Sequence, residues 1–374
     1  MNKIGLITYH KALNYGSVLQ AYALQKTLSD FGEVYLIDYQ NEGQKEMYKI
    51  FKPNNSSKNI IHNILFAIDY KHIKKHRHSF EEFSKKYFSL TESNYKNANE
   101  LISIGNIFDV FVCGSDQIWN INIPDFDYAY LLNFTKKKKV SYAPSLGNSN
   151  KFLENVSSTD FVKHIQSFDS ISVREERGAM AISKQMDDQN ITVTLDPTML
   201  LDTKEWDTLS SERYPKEKYI FFYSIEYTSE YIQLINQIKK ATGLPVYVMF
   251  STGKTYKAMA SGMKRFSHSS PEDFISLIKH AEIVLSSSFH GSVFSILYNK
   301  RFYIPQLSNL DSSEYDDRIV TLLDSFGIPL DQTIINLDNF NVLLNRESTD
   351  FDTVNARLNV LRKSSLDFIK KSVK

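Results

Sequence analysis

Short apolar runs that each close on a polar or glycine-bearing turn recur along this chain, and they constrain its fold more than any other feature. "KIGLITYH" reads as a buried parallel strand. After the break "KALNYG", the run "SVLQAYALQKTLSDFG" places Val18, Leu19, Tyr22, Ala23 and Leu28 near one helical face and stops at Gly32. "EVYLIDY" follows as a second strand. Strand, loop, helix, strand opens a doubly wound α/β unit, whose ligand crevice is formed by the loops at the carboxyl ends of the strands. The loop over residues 10–17 is therefore expected at a site.

The pattern then repeats. "IFDVFVCGSD", "KKVSYAPSLG", "FDSISVREERG" and "ITVTLDPTMLL" give four more strands with their crest loops, and the polar stretch "DTKEWDTLSSERYPKE" separates them from a second series. That series runs "KYIFFYSI", "SEYIQLINQIKKATG", "LPVYVMF", "SSPEDFISLIKHA" and "EIVLSS", with Ser270 as N-cap and Pro271 at the first helical position. The expected fold is α/β, with two Rossmann-like domains facing a cleft. The first spans residues 1–205 with a helical insertion at 42–98, the second spans 216–340, and a helix at 350–374 packs back toward the first. A chain of 374 residues, 42% hydrophobic, can fill two such cores.

Composition removes several classes of function. Lys and Arg total 44 against 43 Asp and Glu, so no polyanion-binding field exists and nucleic acid is not an expected partner. Cys113 is the only cysteine, inside an apolar run, which excludes an internal disulfide and reads as a small core residue of a reducing compartment. No secretory leader and no run of about eighteen apolar residues is present, so a cytoplasmic location is expected. His72 and His76 stand four apart in "HIKKHRH", but interleaved lysines and the lack of a carboxylate at ligand spacing argue for a solvated helix face within reach of anionic lipid headgroups, and no metal is expected.

Chemistry should sit on the crest loops. In "LSSSFHGSVFSILYNKRFY" a strand meets a helix, so the backbone N–H groups near residues 290–293 point out of a helix N-terminus, which attracts anions. His290 would stand beside that anion and suits proton transfer; a capping or core histidine is the competing reading. "VCGSDQIWN" presents Ser115, Asp116 and Gln117 with Trp119 as a flat platform, a set suited to sugars, although "GSD" taken alone favours a turn aspartate that merely caps the next helix. Arg174 in "SVREERG" offers a fork for carboxylate or phosphate, or pairs with Glu175 or Glu176. Asp196-Pro197 in "LDPTMLL" reads as an architectural turn.

Taken in order, "NYGSVLQAYALQKTL", "GSDQIWN", "SYAPSLG", "SVREERG", "LDPTMLL" and "SFHGSVFSILYNKRFY" resemble the polysaccharide pyruvyl transferase family from the first strand to about residue 330. The resemblance implies a GT-B-like fold and transfer of the enolpyruvyl unit of phosphoenolpyruvate onto two sugar hydroxyls, giving a pyruvate ketal. Phosphoenolpyruvate would be the donor substrate and no cofactor is implied. His290 would be the general acid and Asp116 the group that accepts a hydroxyl proton or orients the acceptor. Arg174, Ser288, Phe289, Gly291 and Ser292 would bind the donor in the second domain and its surroundings, while Asn14, Tyr15, Gly16, Ser115, Gln117 and Trp119 would line the acceptor side. Many relatives carry an arginine where Ser288 stands, so another cation must serve, Arg174 first, with Lys254, Arg265 and Arg318 as further candidates. The acceptor sugar would be carried on a polyprenyl diphosphate, which would bring the basic, aromatic insertion to the membrane surface. Two other readings fit the same architecture: a glycosyltransferase using a nucleotide sugar, and a glycan- or phosphate-binding protein without turnover.

Overall fold

The computed structural model describes residues 2–224, 226–250, 255–306, 315–346 and 349–374. Among these residues twelve strands form two parallel six-stranded sheets. The first contains β1 (Asn2–Ile7), β2 (Gly32–Leu36), β3 (Val110–Cys113), β4 (Lys138–Ser141), β5 (Ser170–Val173) and β6 (Thr192–Val193) in the order β2-β1-β3-β4-β5-β6. The second contains β7 (Ile220–Tyr223), β8 (Val246–Val248), β9 (Lys264–Arg265), β10 (Ile283–Ser286), β11 (Arg301–Pro305) and β12 (Ile334–Ile335) in the order β12-β11-β10-β7-β8-β9. Numbered from its own start, the second sheet has the Rossmann order 3-2-1-4-5-6, and the first has the flavodoxin-like order extended by one strand. This is the two-domain, GT-B-like α/β architecture expected from the alternation of apolar runs and helices.

The central strands explain why those runs lack polar alternation. Every residue of "VFVC" in β3, "IFFY" in β7 and "IVLS" in β10 is buried, because helices cover both faces of a parallel sheet. Cys113 is among them, and burial pushes its thiol up.

Seven helices shape the site and its surroundings: α1 (Tyr15–Leu28), α2 (Ser57–Ile68), α3 (Tyr70–Tyr87), α4 (Pro271–His280), α5 (Phe289–Leu297), α6 (Asp317–Phe326) and α7 (Phe351–Val373). The start of α4 carries the Ser270 N-cap and the Pro271 read from its sequence, and the structure adds a capping box, with Ser270 and Asp273 satisfying each other's backbone N–H groups. The two units share one apolar core, in which Tyr15 and Leu19 of α1 meet Phe274 of α4 and Val293 of α5. The Tyr15 ring stacks on Phe274 with centroids 5.0 Å apart.

The segment between β2 and β3 is mostly helical, and α3 departs from the solvated face expected of "HIKKHRH". His72 and His78 are exposed, but Ile73, His76, Phe80 and Phe83 are buried and strap the first unit to the second. His76 Nδ1 lies 3.2 Å from the Ser269 carbonyl oxygen, Lys75 donates to the Ser267 carbonyl at 3.1 Å, and Arg265 pairs with Asp69 at 3.0 Å. Burial pushes the His76 imidazole down to about 4. At the other end of the chain, Arg362 Nε of α7 donates to the Met199 carbonyl at 2.7 Å, and Asn2 Nδ2 donates to the Val373 carbonyl at 3.2 Å. Among the described residues no helix is long and apolar enough to cross a membrane.

Candidate active site

In each sheet the direction of strand succession reverses at one pair, β1/β3 in the first and β7/β10 in the second, and such switch points are where α/β sheets hold ligands. The loops leaving these strands meet between the units. From the first sheet come residues 8–17 and 114–120; from the second come Ser224 and Ser287, whose hydroxyl oxygens lie 2.7 Å apart. A close approach joins α1 to α5: a Cβ added to Gly16 would stand 2.0 Å from His290 Nδ1. Glycine is therefore required for the imidazole to lie against α1.

His290 is the second residue of α5, and its N-cap residue Ser288 makes no side-chain capping bond, so the first N–H groups of the helix lack that partner. The backbone also turns tightly here, since a Cβ on Gly291 would fall 2.1 Å from Ser286 Oγ. Ser292 Oγ is buried without a hydrogen-bond partner among the described residues.

His290 Nε2 stands 3.5 Å from Asp196 Oδ2, near enough for charge attraction and long for a hydrogen bond. The same carboxylate accepts from Arg174 Nη1 at 2.8 Å and Ser115 Oγ at 3.3 Å, while its other oxygen accepts from Thr198 N at 3.0 Å and Thr198 Oγ1 at 2.6 Å. Burial alone would push the Asp196 carboxyl up. His290, Arg174 and Thr198 outweigh it and hold the group well below the usual carboxylate range. Arg174 in turn donates from Nε to Glu175 Oε1 at 3.1 Å, and its Nη2 is buried without a partner among the described residues. Burial raises the Glu175 carboxyl despite that arginine. The Phe289 ring lies 4.4 Å from the Arg174 guanidinium and 6.0 Å from that of Arg318.

A cleft of about 490 Å³ opens between the units, lined by Gln117, Asn120 and Gly147 from the first and Ser287, Asp316 and Arg318 from the second. Arg318 donates to both oxygens of Asp316, at 2.9 and 3.1 Å from Nε. That carboxylate outweighs burial and raises the guanidinium further. Asp116, buried in the loop after β3 next to Gln117, takes a left-handed conformation, φ 68°, accepting from Ser17 Oγ at 2.5 Å and from the Gln117 N–H at 2.8 Å. A second cavity of about 380 Å³ lies beside the first crest loop, between Lys11 and Leu13 on one side and Arg77, Phe80 and Lys85 of α3 on the other.

The structure thus gathers Gly16, Ser115, Asp116, Gln117, Arg174, Phe289, His290, Gly291 and Ser292 around the meeting of the two switch points. It places others elsewhere. Trp119 is fully buried in the first unit, donating from Nε1 to the Tyr130 carbonyl at 3.2 Å with Phe161 edge-on, so its indole faces no cleft. Tyr15 is buried between the units and donates to the Phe250 carbonyl at 2.9 Å. Asn14 caps α1, accepting from the Ser17 N–H at 3.2 Å, and Ser288 occupies the α5 cap position. Of the alternative cations, Arg265 is engaged by Asp69, Arg318 lines the cleft, and Lys254 lies outside the described residues. Asp196 and Ser17 were not anticipated. An Asp-Pro pair reads as a turn, and Asp196 does cap Thr198; the approach of its second oxygen to His290 has no local signal.

Comparison with known proteins agrees with this fold. The structure is similar to UDP-N-acetylglucosamine 2-epimerase from Rickettsia bellii, with TM-score 0.53 and 12% identity, covering 100% of this chain and 97% of that one. It is similar to a putative UDP-N-acetylglucosamine 2-epimerase from Listeria monocytogenes, with TM-score 0.51 and 10% identity over 99% and 91% of the two chains. An alpha-glucosyltransferase solved with UDP and a 13-mer DNA gives TM-score 0.50 and 8% identity over 99% and 95%. At such identities these likenesses show the fold alone. No curated protein matches the sequence. The family model for polysaccharide pyruvyl transferase matches residues 14–304, from the cap of α1 through α5 into β11, and the chain belongs to that family.

Proposed function

We propose that this protein transfers the enolpyruvyl group of phosphoenolpyruvate to two hydroxyls of one sugar, closing a pyruvate ketal and releasing phosphate. The observation that carries the reading is His290 set between Gly16 of one unit and Asp196 behind it, at the uncapped start of α5. Asp196 stands beside Nε2 and the Gly16 backbone lies against Nδ1, so the ring is held in one orientation at the meeting of the two units. His290 protonates the methylene carbon of the donor, which becomes a methyl group and leaves an oxocarbenium-like carbon. One sugar hydroxyl adds to that carbon and the second displaces phosphate. Of the two hydroxyl protons, one restores His290 and one leaves with phosphate, with Asp116 as the acceptor-side carboxylate that orients the sugar or takes the proton.

The donor's phosphate and carboxylate are served by the first N–H groups of α5, by the unpaired Nη2 of Arg174 and by Arg318 in the cleft. The second unit is then the donor side and the first the acceptor side, with the acceptor presented on a polyprenyl diphosphate. Incubation with phosphoenolpyruvate and a panel of hexose and N-acetylhexosamine glycosides, read by mass spectrometry, tests the reading. A product heavier by a pyruvate ketal, with matching phosphate release, is expected. Stabilisation by nucleotide sugars and not by phosphoenolpyruvate in a thermal shift assay, with no ketal formed, would replace it with a glycosyltransferase.

A further inference from the structure

Helix α2 is amphipathic in the wrong sense for a globular surface. Its polar side chains turn to the loop that precedes it: Asn63 Nδ2 donates to the Lys52 carbonyl at 2.8 Å while its Oδ1 accepts from the Lys52 N–H at 2.9 Å. Asn59 Nδ2 likewise donates to the Pro53 carbonyl at 3.0 Å, and His62 Nε2 lies 3.2 Å from the Ile50 carbonyl oxygen. Its isoleucines face out, with Ile60 44%, Ile61 58%, Ile64 56% and Ile68 78% exposed. At 3.6 residues per turn those four positions fall within an arc of about 100°. Phe51 and Tyr70, both largely exposed, stack on each other at 6.0 Å beside this stripe. Isolated exposed hydrophobics are ordinary, but a continuous stripe is not.

The charge around the stripe is one-sided. From Tyr48 to His78 the sequence holds seven lysines and arginines and a single acid, Asp69, in a chain whose net charge is +1. Asp69 is neutralised by Arg265 at 3.0 Å. Lys52, Lys71 and Lys74 are exposed, and no ion pair engages them among the described residues. Beyond Lys74, the residues Arg77, Glu81, Ser84 and Lys85 continue along α3 into the 380 Å³ cavity beside the first crest loop.

We propose that α2 and the first turns of α3 dock the protein on an anionic lipid bilayer, the isoleucine stripe entering the acyl boundary, Phe51 and Tyr70 lying at headgroup level, and the lysines meeting lipid phosphates. An apolar face rimmed by unpaired cations and aromatics fits that surface, whereas a second copy of this chain would bring like charges together. The inference stands apart from the reaction proposed above, since binding is read without turnover.

The test is co-sedimentation of the full chain with phosphatidylglycerol–phosphatidylcholine vesicles and with phosphatidylcholine vesicles, alongside sedimentation velocity without lipid. Binding to the anionic vesicles, weakened by salt, is expected. The double variant Ile64→Asp/Ile68→Asp should abolish it, and each reversal in Lys71→Glu/Lys74→Glu should weaken it at least about fivefold. Because these side chains are exposed, thermal unfolding of both variants should match the parent. No binding to anionic vesicles at low salt, or undiminished binding by both variants, would overturn the proposal. So would a dimer in lipid-free solution that Ile64→Asp/Ile68→Asp dissociates, which would assign the stripe to a second copy.

Discussion

Helices α1 and α5 both start immediately above a central strand at a switch point, and they use that position in opposite ways. Asn14 caps α1, and the next residue, Tyr15, is driven into the other unit against Phe274. The start of α5 has no side-chain cap and carries His290, with Asp196 behind the ring and the backbone of Gly16 against it. One helix start fastens the two units together; the other leaves its first N–H groups without a side-chain cap and sets an imidazole beside them. The same strand-to-helix architecture thus serves two ends in one chain, according to what its first helical residues are.

Four outcomes would break or sharpen this contrast. Tyr15→Ala should cost about 3–5 kcal/mol of stability by chemical denaturation, the range for deleting a buried aromatic, whereas a Tyr15 that served a ligand would change affinity and not stability. Acid should loosen the same junction. His76 is held neutral with its imidazole at about 4, below the ordinary 6.5, so the unfolded chain binds its proton first as pH falls. Stability present above about pH 6.5 is then lost progressively toward pH 4, by up to about 3 kcal/mol, and His76→Gln should flatten that part of the pH profile. Gly16→Ala should lower turnover about a hundredfold by pushing the imidazole aside, with a much smaller change in melting temperature. The least effect separates the caps: Asn14→Ala should cost about 1 kcal/mol, and Ser288→Ala should show no capping loss at all.

Much of this was legible in the sequence, for identifiable reasons. Buried parallel strands leave unbroken apolar runs, and each run's polar end marked a crest loop, so His290, Asp116 and Arg174 could be singled out before their neighbours were known. Direction was not legible. Trp119 and Tyr15 end up buried, but an aromatic just after a strand looks the same in sequence whether it turns to the cleft or to the core. Partnership across the chain was equally hidden: Asp196 and His290 meet at 3.5 Å across 94 positions, and only the pairing of two sheets brings them together. The same holds for α3, where the histidine that straps the units, His76, is flanked by exposed lysines that made the segment look solvated.

In the reaction proposed here the start of α5 acts through His290. The direct measurement is turnover and donor affinity of His290→Gln with phosphoenolpyruvate and an acceptor that the parent protein converts. Glutamine can still approach Asp196 but cannot relay a proton, so donor affinity should persist while turnover falls by about 10²–10⁴. Turnover within a few-fold of the parent would contradict the account and move the proton transfer to another group.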